Sequence, residues 1–459
     1  MRPNEISLWH DTVPDDDFAK RPALPGDTEA DVAIIGAGYT GLWTAYYLRQ
    51  RDPSLRIVVV EAEFAGFGAS GRNGGWCSAL LPMGFEAMAA HHGRDAATRM
   101  QRAMNETVDE VGRVVTAEGI DCHWAKGGTL VAARNPAHVP RLQAQVAEYR
   151  EFGFGDDDLR WLSADEAAAE IASTHQLGGI YTPHCAAIHP TRLVRGLART
   201  VEASGVRIHE GTRVLDLQPG RLVTDHGVVR ADTIVRATEG FTASLPGQRR
   251  RVVPIYSLMI ATEPLPASVW DEIGWSRRQT FSDGRRLIIY AQRTADDRIA
   301  FGGRGAPYHF GSRIEPSFDR HDGVRTILHD TLREMFPAIG DARITHHWGG
   351  PVGVPRDWYC SAGLDPATRI AWAGGYVGDG VGTTNLAGRT LCDLITGERS
   401  DLTELPWVNH RSPNWEPEPL RWIGINSMVR LPIGADSYET KHQRPERWRS
   451  RIVTRLTGH

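Results

Sequence analysis

Lysine is almost missing from this chain of 459 residues: Lys20, Lys126 and Lys441 are the whole supply, and arginine carries nearly all the positive charge. A mechanism built on a lysine base or Schiff base has few places to stand. Cysteine is scarce as well. Cys77, Cys122, Cys185, Cys360 and Cys392 are odd in number, lie far apart and form no C-x-x-C pair, which argues against structural zinc and for a reducing compartment. There is no basic excess: a formal net charge of -4 offers no broad positive field to nucleic acid or an anionic membrane. No window approaches the roughly 20 apolar residues that span a bilayer. Met1 to Lys20, with Asp15, Asp16 and Asp17, lacks the apolar core of a signal peptide, so a cytoplasmic location is expected. Internal repeats and low-complexity blocks are absent too.

What is present is ordinary globular chemistry. Hydrophobic residues at 41% and charged ones at 24% leave ample apolar surface for cores, and the length asks for two domains rather than one. After a polar leader, Asp31 to Ile35 reads as a buried parallel strand, Tyr39 to Gln50 as a helix and Arg56 to Val60 as a second strand. Apolar residues recur with helical period from Met100 to Val115, and Ser163 to Glu166 matches a capping box. A helix over Thr191 to Ser204 precedes strands at 206–209, 212–217, 221–224 and 228–236. Further strands at 252–262, 287–292 and 299–303 lead to a helix at 324–335. Ile370 to Ala373 then runs into a glycine-rich segment, Gly374 to Gly382, and a helix ending near Gly397. Residues 411–459 read as a separate tail for packing or subunit contact.

Gly36, Gly38 and Gly41 form G-x-G-x-x-G between strand and helix: one glycine for the turn, one for close pyrophosphate approach, one for helix-to-strand packing. The helix start then faces the phosphates. Glu61 ends the second strand twenty residues after Gly41, where a carboxylate accepts both ribose hydroxyls of an adenosine and repels a 2′-phosphate. FAD or NAD therefore fits better than NADP. The loop Gly66 to Gly75 carries so little side chain that backbone amides can crowd a planar polar ring, which favours FAD.

With the loop GASGRNGG at Gly68 to Gly75 and the closing GGYVGDGVG at Gly374 to Gly382, these motifs resemble the D-amino-acid-oxidase superfamily of flavoproteins, within it the gamma-glutamylputrescine oxidase and sarcosine/glycine oxidase branch. The resemblance runs from about Asp31 to Gly397. It implies an α/β fold: a Rossmann-like FAD-binding domain assembled from residues 28–90, 180–250 and 350–410. A mixed-sheet α+β substrate domain would come from 91–179 and 251–349. It also implies that Val214 lies beside adenine and that Ala237 and Thr238 end the strand under the pyrophosphate. Arg72, Asn73 and Gly74 would line the isoalloxazine, and the 377–381 backbone would meet its pyrimidine edge. Tyr39, Thr40, Ala62, Gly68, Ala69, Ser70, Gly75, Trp348, Gly375, Tyr376, Gly378, Asp379, Gly380, Val381 and Gly382 complete the expected cofactor set. Many relatives carry histidine where this chain has Asp379, and a negative charge there works against an anionic reduced flavin. Cys77 reads as a buried thiol, so noncovalent FAD is expected.

The implied reaction is oxidation of a small amine or amino acid, by hydride transfer to flavin N5, giving an imine that hydrolyses. Expected substrate-side residues are His347, for holding the amine or its proton, and Tyr256 and Tyr290 as aromatic walls. Arg304 or Arg356 would hold a carboxylate if the substrate has one. Some related oxidases place a lysine beside the flavin to promote oxygen reduction. The corresponding strand here has none, which leaves oxygen and another electron acceptor both open. A flavin monooxygenase would need a nicotinamide site, and a single dinucleotide fingerprint argues against it. A flavin-bound module without turnover is the third reading, and the sequence leaves the oligomeric state open.

Overall fold

The computed structural model describes residues 2–303, 306–446 and 448. Arg304 and the last residues of the tail lie outside them. Two eight-stranded sheets carry the chain. In the first, the strands Ile370–Gly374, Gly227–Arg236, Thr28–Ile35, Ile57–Val60 and Arg207–His209 run parallel in that spatial order. Ile57–Val60 is Ile-Val-Val-Val and buried throughout, as a strand covered on both faces must be. The helix Tyr39–Arg51 makes the crossover between Thr28–Ile35 and Ile57–Val60, and the helix Gly380–Thr396 lies against it. Gly388 sits so close that a β-carbon there would stand 2.8 Å from the Trp43 carbonyl carbon.

The second sheet runs Ile344–Val354, Val253–Thr262, Ile299–Gly303, Ile289–Arg293, Thr280–Asp283, Thr129–Ala132, Gly179–Thr182 and Arg160–Leu162. Its core is aromatic, with Trp275, Phe281, Phe301 and Phe336 in contact. Among the described residues no helix is long and apolar enough to cross a membrane.

Four segments pack in ways that bear on how the chain is grouped around the two sheets. The helix Arg94–Ala117 was expected with the substrate segments, but its stripe of Met100, Met104, Val108 and Val111 joins the core of the first sheet. Ile344–Val354 does not break at residue 350; it pairs along Val253–Thr262 as far as Val354. In the polar leader, Leu8, Trp9 and His10 are buried. The tail packs on the rest of the chain. Its helix, Leu420–His442, is tied to the helix His138–Glu151, from which Arg141 donates two hydrogen bonds to Glu439 at 2.6 and 2.8 Å.

Candidate active site

A cavity of about 820 Å³ runs between the two sheets, near the upper end of the range for small-molecule sites. At one end stands the strand–helix turn. Gly36 has φ +103°, and a β-carbon there would lie 2.7 Å from the Ala237 carbonyl oxygen. Gly41 is tighter still: its missing β-carbon would be 2.1 Å from the Gly36 carbonyl oxygen, so only glycine lets the helix start this near the strand. The first helical N–H groups have no carbonyl behind them to bond. Tyr39 N–H is met by the Ser70 hydroxyl at 2.9 Å, which draws the second glycine loop onto the first.

Gly36, Gly38, Tyr39 and Thr40 line the cavity, as do Glu61 and Ala62. Glu61 accepts the N–H of Ala37 at 2.9 Å and of Glu63 at 3.0 Å. Burial pushes its carboxyl up and those two donors pull it back. A carboxylate has lone pairs for more than two donors, so ribose hydroxyls fit beside them. Val214 also faces this end, and Ala237 and Thr238 form the floor between it and the loop.

Gly68, Ala69, Ser70, Arg72, Asn73 and Gly74 line the middle of the cavity. Two indoles fix this loop from behind by donating to consecutive carbonyls: Trp348 Nε1 to Arg72 O at 2.9 Å and Trp9 Nε1 to Asn73 O at 2.8 Å. The Arg72 guanidinium is not free to meet a ring. It pairs with Asp319 at 2.6 Å, donates to Gly349 O and lies over the Phe67 ring, and so ties the loop to the second sheet. Opposite, Tyr376, Gly378, Asp379, Gly380 and Val381 line the wall at the start of the helix Gly380–Thr396. Asp379 is the N-cap residue, so its charge sits at the positive helix end.

Tyr256 and Tyr290 both reach the cavity, and the Tyr290 hydroxyl meets the Ser257 hydroxyl at 2.8 Å. Burial, with Asp319 nearby, keeps the Tyr256 phenol protonated well past its ordinary range.

Several expected residues stand elsewhere. His347 follows the wrong parity: it neighbours Trp348 on an extended strand, so the two point to opposite faces, and Trp348 is the one that reaches the flavin loop. His347 instead accepts the His321 N–H, and burial together with Arg325 and Arg320 lowers its pKa to about 4. Arg356 is paired with Glu416 at 3.0 Å over Trp415, away from the cavity. Trp348, Gly41, Gly75, Gly375 and Gly382 do not line it; Trp348 supports the loop through its indole, and the glycines hold the walls by close packing.

Reading the sequence missed Glu239. It lines the cavity and bridges the sheets, accepting Gly353 N–H at 2.6 Å and Tyr376 N–H at 2.9 Å. Burial pushes its pKa up to about 7 against those donors. Its position directly after Thr238 was the available signal. Also missed were Met428, Val429 and Pro432, through which the C-terminal helix reaches the cavity.

The arrangement fits a dinucleotide bearing a flat ring: two helix starts, an acidic strand end, a side-chain-poor loop and one continuous cavity. The family model of FAD dependent oxidoreductases matches residues 31–394. The chain belongs to that family. This oxidoreductase uses FAD, and the segments before residue 31 and after residue 394 lie outside the match. It is 30% identical over 388 residues to a probable oxidoreductase, OrdL, of Rhizobium meliloti, covering 83% of this chain and 86% of the relative. It is 29% identical to gamma-glutamylputrescine oxidoreductase of Escherichia coli, over 83% and 87%. Glycine oxidase from Geobacillus kaustophilus shares the fold, with a TM-score of 0.66 at 21% identity over 83% of this chain and 99% of its own.

Proposed function

We propose that this oxidoreductase, with FAD held noncovalently, oxidises a small primary or secondary amine or amino acid at its C–N bond. The product is an imine that water hydrolyses to a carbonyl compound and ammonia or an amine. Bound FAD supplies the two-electron acceptor, itself reoxidised by oxygen, with hydrogen peroxide formed, or by another carrier. The observation that carries this reading is the continuity of the cavity, from the Glu61 end past the glycine loop to Tyr256 and Tyr290 in the second sheet.

The chain's own contribution is positioning and exclusion of water. Tyr256, Tyr290, Ile289 and Val352 wall the far part of the cavity, and the Ser257–Tyr290 hydroxyl pair gives a neutral donor and acceptor to orient an amine. Noncovalent attachment is supported by Cys77, which is fully buried with its thiol pushed far up by burial and does not line the cavity. Relatives named for a glutamylated diamine, for glycine and for iminodiacetate support the amine class. None of Lys20, Lys126 and Lys441 lines the cavity, which keeps an acceptor other than oxygen as the second reading.

The test is anaerobic mixing of the yellow holoenzyme with a panel of amines and amino acids. Bleaching of the flavin band by at least one of them is expected. A panel that leaves the band intact while NADPH bleaches it would overturn the proposal. Readmitting oxygen, with peroxide measured, separates oxidase from dehydrogenase.

A further inference from the structure

The far end of the cavity is made partly by chain that the family match does not include. Met428, Val429 and Pro432, spaced to share one face of the helix Leu420–His442, line it together with Arg286, Leu287 and Ile288. The helix also fixes the loop that carries Arg286. Asp436 accepts the backbone N–H of Arg286 and of Leu287, both at 2.9 Å.

The state of the Arg286 guanidinium sets it apart from the other arginines of the cavity. Arg72 is consumed by Asp319 and two carbonyls, and Arg213 pairs with Glu63 at the Glu61 end. Glu439 is taken first by Arg141, at 2.6 and 2.8 Å; Arg286 reaches only one of its oxygens, from Nε and Nη2, at 3.4 Å each. Among the described residues nothing accepts from Arg286 Nη1. A guanidinium offers five donors in a planar fork, so this one retains an edge suited to a carboxylate. The strand Ile344–Val354 brings Gly350, Pro351 and Val352 to the cavity and no cation, so a substrate anion has no closer partner on that wall.

We propose that Arg286, steadied by the C-terminal helix, anchors a carboxylate at the end of the substrate remote from the oxidised carbon, with Met428, Val429 and Pro432 walling the aliphatic chain between. Arg286 is four residues before Tyr290, so their Cα atoms are at most about 14 Å apart. The substrate class is therefore an aliphatic amine with a carboxylate away from the oxidised carbon, on a chain no longer than that span allows. This rests on the amine-oxidation reading above, and the test separates the two.

The holoenzyme and Arg286→Gln are compared with ω-aminocarboxylates of increasing length and n-alkylamines of equal length, by anaerobic flavin reduction. Wild type is expected to prefer the carboxylates. In Arg286→Gln the preference ratio should collapse by about tenfold to a hundredfold, the loss of a charge-assisted pair, through KM rather than the limiting rate. An equal fall for both series, or an unchanged ratio, overturns the proposal. Non-oxidisable hexanoate and adipate provide a second readout, through their perturbation of the oxidised flavin spectrum. Should no amine bleach the flavin, the amine reading fails alone, and adipate still decides on Arg286: its spectral shift must be present in wild type and weakened at least tenfold in the variant, or the anchor is refuted.

Discussion

Glu239 is where the two sheets meet through one side chain. Its two oxygens hold backbone N–H groups from Gly353 in the second sheet and Tyr376 in the cofactor wall. Because burial raises its pKa to about 7, the fold takes up a proton that an unfolded chain with an ordinary glutamate would release. Between the ordinary glutamate value of 4.5 and about 7 the native state binds more protons, so this group's contribution to stability falls as pH rises through that window. Glu239→Gln removes the titration and turns an amide N–H₂ toward one of the two donors. It should lower stability by about 1–3 kcal/mol and flatten the pH dependence of Tm between pH 5 and 7. Thermal melts of both proteins across that range check it; an equally steep dependence in the variant would show that another group titrates. Neither the left-handed backbone of Glu239, φ +39°, nor the contact from Tyr376 could be read from the sequence, because both depend on where residues 353 and 376 arrive in space.

At the scale of the element, the glycine motifs were the most legible feature, since each missing β-carbon leaves a signature at fixed spacing. Gly41→Ala should cost roughly 3 kcal/mol or expel the cofactor, because the methyl would sit 2.1 Å from the Gly36 carbonyl oxygen. Purified variant protein would be colourless or would melt early, and a yellow variant with unchanged Tm would contradict the packing argument. His347 was misread for a reason the sequence did contain: strand alternation puts it opposite Trp348, and only one of the two can face the loop. The N-terminal helical turn was harder. Leu8, Trp9 and His10 lie in a segment whose charges suggest solvent, yet the Trp9 indole supports the Asn73 carbonyl. Trp9→Phe keeps the ring and removes that bond. FAD affinity, followed by titration of apoprotein, should fall about fivefold, the equivalent of about 1 kcal/mol. An unchanged affinity would reduce Trp9 to a packing residue.

The whole molecule closes through its C-terminus, which is where reading the sequence stopped short: scattered arginines and acids show no periodic core stripe, and their partners are more than a hundred residues distant. Glu439, 1% exposed, collects Arg141, Arg286 and the Glu446 N–H. Burial alone would raise its pKa; the Arg141 hydrogen bonds, the Glu446 N–H and the charges of Arg141 and Arg286 together outweigh it and hold the carboxyl below its ordinary value. Its contribution is therefore present above the unfolded pKa and lost as pH falls through the lower folded one. Glu439→Ala strands two arginines without their shared partner, a change that costs about 3 kcal/mol where such a pair is buried. The cost should fall locally, because the helix Leu420–His442 packs on the rim of the cavity rather than within either core. Hydrogen exchange in residues 420–442 should speed up at neutral pH in the variant, and in wild type only on acidification. Iodide should then quench flavin fluorescence more strongly in the variant, since Met428, Val429 and Pro432 no longer shield that end of the cavity. Faster exchange spread evenly over both sheets would instead mean that the helix supports the global fold.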